Sequence, residues 1–505
     1  MFETMLAGFY SAFALDCLLL IAGGVALGVM FGSIPGLTAS MGLILCLPLT
    51  FSMTPLNGIS LLCGLFIGGI SGGLIPAILM NIPGTPGSVA TLFDGYPMMR
   101  KGESQKALGA AVVYSFLGTL FGIAVLSVFA PMLARFALKF TPYEYFAVSF
   151  FALALISSVS SGSMLKGFIS GVLGIAIAMV GMSPVGGIQR LTGGNVDLQS
   201  GFLMVPFLVG LFAISELFHN AGAGFSKATM IQKDFRMRGI GIGIGDFVRN
   251  IRTFFVSSSV GTAIGILPGI GVSTASIMGY LAAKKTSKRQ DQYGTGVVDG
   301  VVASESANNA CIGGALVPLL ALGIPGDTVA SILLGALIMN NIQPGPLLFI
   351  TQGELVYGIF TSLVIASFCM LVIVLLLMRV FIRLVQTPKN ILMPIVIVMC
   401  LVGAFGVNNR AFDVWSVVMF GGLGLALRTF GFPLQPAVLG FILGPIVETN
   451  FYRALTMANG NYSEFVLRPI SGAFLAAAVI FILLPVVGPV FARWRDSARP
   501  GIPKP

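Results

Sequence analysis

Long apolar runs separated by short polar loops dominate the chain. They lie near residues 13–31, 43–49, 61–80, 107–130, 143–160, 164–182 and 201–218, and again near 356–385, 390–406, 413–430, 434–447 and 470–492. A bilayer-spanning helix needs about 20 such residues, and the chain offers about twelve candidate segments. Two segments are interrupted alike, by Gly32-Ser-Ile-Pro35-Gly36-Leu-Thr38-Ala39-Ser40 and by Gly265-Ile-Leu-Pro268-Gly269-Ile-Gly-Val-Ser273-Thr274-Ala275-Ser276. Proline lacks an N–H and glycine is conformationally free, so a helix breaks at each place. Broken backbone at membrane depth survives only where protein or a polar cavity satisfies the freed groups.

The likeness extends further. Asn81-Ile-Pro83-Gly84-Thr85-Pro86-Gly87-Ser88 is matched by Ile324-Pro325-Gly326, and Gly72-Gly73 with Pro76 by Gly313-Gly314 with Pro318. Matches in one order at a nearly constant offset mark an internal repeat. The halves are residues 1–219 and 254–505, joined by a basic linker, 220–253, which carries Lys227, Lys233, Arg236, Arg238, Arg249 and Arg252. The positive-inside rule assigns that linker, and a C-terminus bearing Arg493, Arg495 and Arg499, to the cytoplasm.

Loop charge gives the relation between the halves. In the first half the segment between the interruptions, 51–57, is uncharged, and Arg100, Lys101 and Lys106 follow the second interruption. In the second half Lys284, Lys285, Lys288 and Arg289 lie between the interruptions, and 343–354 carries no base. Corresponding loops therefore face opposite sides. The expected fold is an all-α polytopic membrane protein of about twelve transmembrane segments, with discontinuous helices or re-entrant hairpins in two inverted-topology repeats.

Composition narrows the function. Of 505 residues, 56% are hydrophobic and only 9% charged, with a mean hydropathy of +0.97. Too little charge is present to cover a soluble protein of this size. The net charge of +10 is spread over short loops, as topology determinants and lipid-headgroup contacts are, so nucleic acid is not a partner. Cys17, Cys46, Cys63, Cys311, Cys369 and Cys400 lack C-x-x-C spacing and read as buried free thiols. One histidine, His219, excludes an H-E-x-x-H zinc site and reads as a solvated loop residue. Gly241-x-Gly243-x-Gly245 opens no βαβ unit, so no dinucleotide cofactor is expected. No nucleophile–base pair is visible, which leaves no catalytic residue and no enzyme.

The chemistry lies at the interruptions. A half-helix N-terminus offers free N–H groups and a positive dipole end to an anion. Thr38 and Ser40, Thr85 and Ser88, Ser273 and Thr274, and Thr328 add hydroxyls there, while Gly36, Gly84, Gly87, Gly269 and Gly326 let a ligand approach the backbone. Such a donor set suits a carboxylate, with Thr38 and Ser40 expected to face Ser273 and Thr274 across it. Freed carbonyls and nearby acids suit Na⁺, and no transition metal. Glu305 and Asp327 are the acids closest to the interruptions and the candidates for a coupling ion. Asn308 and Asn309 follow Glu305 by one turn, placed either to touch a ligand or to hydrogen-bond between helices. Asp94, before Gly-Tyr-Pro, reads as a turn cap, and Glu216 and Glu448 as interfacial.

Pro-Gly-x-Thr-Ala-Ser, Ile-Pro-Gly-Thr-Pro-Gly-Ser and Glu305-Ser-Ala-Asn308-Asn309-Ala with Gly-Ile-Pro325-Gly326-Asp together resemble a known pattern. It is that of the large membrane subunit of tripartite tricarboxylate transporters, the TctA family, and the resemblance spans essentially the whole chain. It implies a multi-pass subunit of the bacterial inner membrane. The partners it implies are a small four-helix membrane subunit and a periplasmic solute-binding protein that captures a tricarboxylate such as citrate, or a dicarboxylate. It further implies uptake driven by a Na⁺ or H⁺ gradient. The residues alone leave one alternative, an anion or ion channel whose broken helices form a static filter.

Overall fold

A computed structural model describes residues 2–159, 163–222, 241–385 and 389–497. The helices run α1 (Phe2–Ala12), α2 (Leu15–Ser33), α3 (Ala39–Cys46), α4 (Pro55–Gly72), α5 (Leu74–Met80), α6 (Leu92–Arg100), α7 (Ser104–Ala137), α8 (Pro142–Val159) and α9 (Met164–Ala178). A two-stranded antiparallel ribbon, β1 (Gly181–Met182) with β2 (Gln189–Arg190), precedes α10 (Met204–Leu208), which runs through a π-helical segment, Val209–Ile214, into α11 (Ser215–Gly222). Then follow α12 (Ile244–Ile266), α13 (Gly271–Thr286), α14 (Val298–Leu322), α15 (Thr328–Met339), α16 (Leu348–Thr351), α17 (Gly353–Val385), α18 (Lys389–Asn408), α19 (Ala411–Thr429), α20 (Leu434–Met457), α21 (Glu464–Leu467) and α22 (Pro469–Ser497). Helix thus predominates, as the apolar runs predict. Five of the described helical spans are long and apolar enough to cross a membrane: Leu15–Ser33, Pro55–Met80, Ser104–Ala137, Gly353–Val385 and Ala411–Thr429.

The chain forms two compact units, Met1–Leu138 with Leu203–Ala426, and Lys139–Phe202 with Leu427–Pro505. These units cut across the division into sequence halves. Residues 223–240 of the basic linker and 498–505 at the C-terminus lie outside the described residues. From Ile244 onward the linker sequence is helical, forming the first turns of α12, where Asp246 pairs with Lys106 at 3.3 Å.

In the larger unit, glycine sets the packing. Cβ atoms at Gly24, Gly28 and Gly32 would meet the backbone oxygens of Leu61, Leu65 and Gly69 within 2.4 Å. Gly64, Gly68 and Gly72 meet Ile21, Val25 and Val29 in the same way. Contacts that advance together along both helices make α2 and α4 parallel. Small residues every fourth position let the backbones touch, which is how helices associate where lipid removes the hydrophobic drive. α12 lies parallel to α14 through Gly261, Gly265 and Gly314, and α7 through Gly118, Gly122 and Gly313. Every residue of α14 from Asp299 to Ala321 is buried, its polar ones included. Ser71 on α4 donates to Asn309 at 2.8 Å, while Gly95, beyond α5, packs on Ile78, and its neighbour Asp94 packs on Gly300. α4 and α5 therefore run toward the N-terminus of α14, opposite to it in direction.

In the smaller unit, α9 and α20 cross at Gly171, Gly174 and Gly440. Glu448, expected at an interface, lies within α20 and takes a two-pronged bond from Arg190 at 2.6 and 3.2 Å.

Candidate functional site

Each half breaks its helices in the same manner. α2 stops at Ser33 and α12 at Ile266, and the following glycines, Gly36 (φ 94°) and Gly269 (φ 78°), take the left-handed backbone that other residues avoid. New helices start directly afterwards, at Ala39 and Gly271. Residue 81 and residue 323 also correspond: Asn81 (φ 57°) and Gly323 (φ 74°) end α5 and α14 in the left-handed region. The next amides, Ile82 and Ile324, reach back to the carbonyls of Pro76 and Pro318 at 3.4 and 3.2 Å. That is a Schellman closure, used twice.

Within a half the two breaks touch. A Cβ at Gly84 would stand 2.3 Å from the Gly32 carbonyl oxygen, and one at Gly326 would stand 2.4 Å from that of Gly265. Backbone cannot yield as a side-chain end does. Gly84→Ala and Gly326→Ala are each expected to cost about 3 kcal/mol. Thermal unfolding of the purified chain in detergent checks this, and an unchanged midpoint for both would show that the breaks are not in contact.

Between halves the packing is crossed. α3 packs on α15, and the turn Pro86–Ser88 packs on α13, so the first break of each half meets the second break of the other. The matched spelling instead aligns first break with first, Thr38 and Ser40 with Ser273 and Thr274. Thr38 caps α3, accepting from the Met41 N–H at 3.3 Å, and Asp327 caps α15, accepting from Ala330 N–H at 2.7 Å. Ser40, Ser273, Thr274 and Thr328 are half-buried in the first turns of their helices. Thr85 and Ser88 are buried, and Ser88 Oγ bridges the Thr85 N–H and C=O at 3.2 and 2.9 Å. Opposite them stands Asn308. Its Oδ1 would be 2.1 Å from a Cβ at Gly87, so only glycine admits it there. Neither atom of the Asn308 amide, nor Thr85 Oγ1, nor Asp327 Oδ2, has a hydrogen-bond partner among the described residues.

One turn from Asn308 the polar groups are fully matched. Glu305 is wholly buried, with Thr91 Oγ1 donating to Oε1 at 2.5 Å and Ser115 Oγ to Oε2 at 2.8 Å. Asn309 Nδ2 reaches Oε2 at 3.4 Å, and its Oδ1 accepts from Ser71 at 2.8 Å and Thr119 at 3.4 Å. Ser304 Oγ lies 3.1 Å from Thr91 Oγ1. No lysine or arginine pairs with Glu305 among the described residues. The result is a pocket of oxygen atoms around one carboxylate, drawn from α4, α7, α14 and the start of α6. Sequence reading found Glu305, Asn308 and Asn309 but missed Ser71, Thr91, Ser115 and Thr119. Their only signal is a hydroxyl inside an apolar helix, with Ser115 and Thr119 four apart on one face of α7.

Residues 18–439 match the family described as the tripartite tricarboxylate transporter TctA family. The chain belongs to the TctA family. A TctA protein is a membrane subunit of a three-part tricarboxylate transporter, so this is a transport family and not an enzyme family. Among similar proteins is one from Agrobacterium vitis described as an uncharacterized 52.8 kDa protein in the TAR-I ttuC' 3' region, 34% identical over 467 residues, or 92% of each chain. A second Agrobacterium vitis protein, from the TAR-II ttuC' 3' region and also uncharacterized, is 34% identical over 224 residues, covering 44% of this TctA chain and 93% of the relative. No solved structure matches.

Proposed function

We propose that this chain is the translocating subunit of a bacterial inner-membrane importer. It receives a di- or tricarboxylate from a periplasmic solute-binding protein and works beside a small membrane subunit. Uptake is coupled to a Na⁺ or H⁺ gradient. The observation that carries the reading is Glu305: a wholly buried carboxylate, surrounded by hydroxyl and amide groups, without a basic partner. A bare charge in that setting is costly, and a monovalent cation on the same oxygen atoms removes the cost. Beside it, the unpartnered Asn308 amide and Thr85 hydroxyl face the crossed breaks, where Ser273 and Thr274 add donors for a carboxylate.

The paired Schellman closures, the paired Gly84–Gly32 and Gly326–Gly265 contacts, and the opposed run of α4–α5 and α14 support two repeats of inverted topology. A site at the junction of such repeats is where alternating access operates.

Uptake of labelled citrate and dicarboxylates into vesicles tests the reading, with the solute-binding protein present and Na⁺ and pH gradients imposed separately. Accumulation driven by one gradient is expected. Steady substrate-free currents would favour a static channel instead. Asn308→Leu keeps the volume and removes both polar atoms. It is expected to lower substrate affinity about 100-fold, while cation-dependent stabilisation of the chain persists. Unchanged uptake by N308L would remove Asn308 from the substrate site.

A further inference from the structure

Asp94 does not cap a turn of its own segment. Its carboxylate is wholly buried and crosses to the other half of the chain. There Oδ1 accepts from the N–H groups of Gly294, Gly296 and Val297 at 3.0, 2.8 and 3.0 Å. Oδ2 accepts from Gly294 N–H at 3.1 Å and from the Tyr280 hydroxyl at 2.8 Å. A Cβ at Gly300 would lie 1.9 Å from Oδ2, so the seat fits this side chain closely. The groups donating to Asp94 belong to the turn that leads into α14 and to α13. Around the seat, Arg289 pairs with Asp299 at 2.8 Å, and Lys101 Nζ lies 3.5 Å from the Gly296 carbonyl.

Thr91, three residues before Asp94, is the residue whose hydroxyl donates to Glu305. The start of α6 is thus fastened to α14 at two heights, by Asp94 at residues 294–297 and by Thr91 at residues 304 and 305. Thr91 and Asp94 lie three residues apart, and their nearest neighbours on α14, Ser304 and Gly300, lie four apart, a rise of about 6 Å. Two fasteners one turn apart set both the height and the rotation of α6 against α14. With the lower one released, α6 keeps its packing on α5 and α7, but the Thr91 hydroxyl loses the neighbouring polar tie that sets its place against α14.

We propose that Asp94 is a positioning residue for the cation site: by anchoring α6 to the entry of α14, it holds the Thr91 hydroxyl on Glu305. This rests on the reading of Glu305 as that site. Asp94 touches neither cation nor substrate and acts through Thr91.

The test uses the full chain in nanodiscs, with its unfolding midpoint followed as NaCl replaces choline chloride at constant ionic strength, and in a separate pH series. The unsubstituted chain is expected to be stabilised saturably by Na⁺ or by protons. Thr91→Val should raise the half-saturating cation concentration about tenfold, the loss of one hydrogen bond to a charged group. Asp94→Asn should raise it by a similar factor. The double variant should be no weaker than T91V alone, because both changes remove the same contact. A D94N chain with a lower midpoint but unchanged half-saturation would make Asp94 merely structural and overturn the proposal, as would additive effects in the double variant. If D94N does not fold, Tyr280→Phe, which removes a single bond to the carboxylate, carries the comparison, and unchanged half-saturation there overturns the proposal. No cation response in the unsubstituted chain would instead refute Glu305 as the cation site, and this inference with it.

Discussion

Glu305→Gln is expected to abolish gradient-driven carboxylate accumulation while leaving the protein folded. Glutamine keeps the volume of glutamate, and its amide can still pair with Thr91 and Ser115, whose hydroxyls both donate and accept. What it loses is the negative charge of a wholly buried carboxylate, on which the proposed cation binding depends. Loss of a charge-assisted contact of about 3 kcal/mol corresponds to about 100-fold in cation affinity. At ordinary cation concentrations that empties the site. Vesicles carrying E305Q should therefore fail to concentrate substrate under any imposed gradient. Exchange of labelled for unlabelled substrate, which needs no net cation movement, should be less affected. Accumulation by E305Q at the unsubstituted rate would mean that the driving ion binds elsewhere. Glu305→Ala should behave differently, losing stability as well as transport, because it leaves a void and orphans the hydroxyls of Thr91 and Ser115.

Gly28→Val should have the largest effect on folding. The added Cβ alone would stand 2.4 Å from the Leu65 carbonyl oxygen and 2.7 Å from the Gly69 amide nitrogen. Neither atom can move without separating α2 from α4 along their whole contact. Since Gly24 and Gly32 rely on the same close approach, the loss spreads in both directions. A cost above about 4 kcal/mol is expected, comparable with the total stability of many domains. The readout is the yield of monodisperse protein after extraction, together with its unfolding midpoint. Gly23→Val is the control, since a Cβ at Gly23 would meet nothing within 4 Å. Equal behaviour of G28V and G23V would mean that the α2–α4 contact contributes little to stability.

The local features of this architecture are legible in the sequence because proline and glycine act on their own backbone. The breaks after Ser33 and Ile266 follow from Pro35-Gly36 and Pro268-Gly269, and the matching end of α14 from Gly323-Ile-Pro325. The partners of those breaks were not legible. Nothing in Thr38 or Ser273 states which distant helix lies opposite, and the structure crosses what symmetry of spelling had aligned. Thr91 and Ser115 were passed over because a hydroxyl in an apolar helix is commonplace until the face of α14 that meets it is known. Asp94 shows the same limit: its neighbours Gly95, Tyr96 and Pro97 describe a local turn, but its bonds go to residues about 200 positions away.

The seat of Asp94 also has no twin. The offset of 242 positions that carries Gly84 onto Gly326 carries Asp94 onto Ala336, a methyl group where the other half has a carboxylate. Two halves that match in outline thus differ in what clasps them to their neighbours. The clasp therefore runs one way: a carboxylate of the first half is held by backbone N–H groups and a tyrosine hydroxyl of the second, and the second half returns no such group from residue 336.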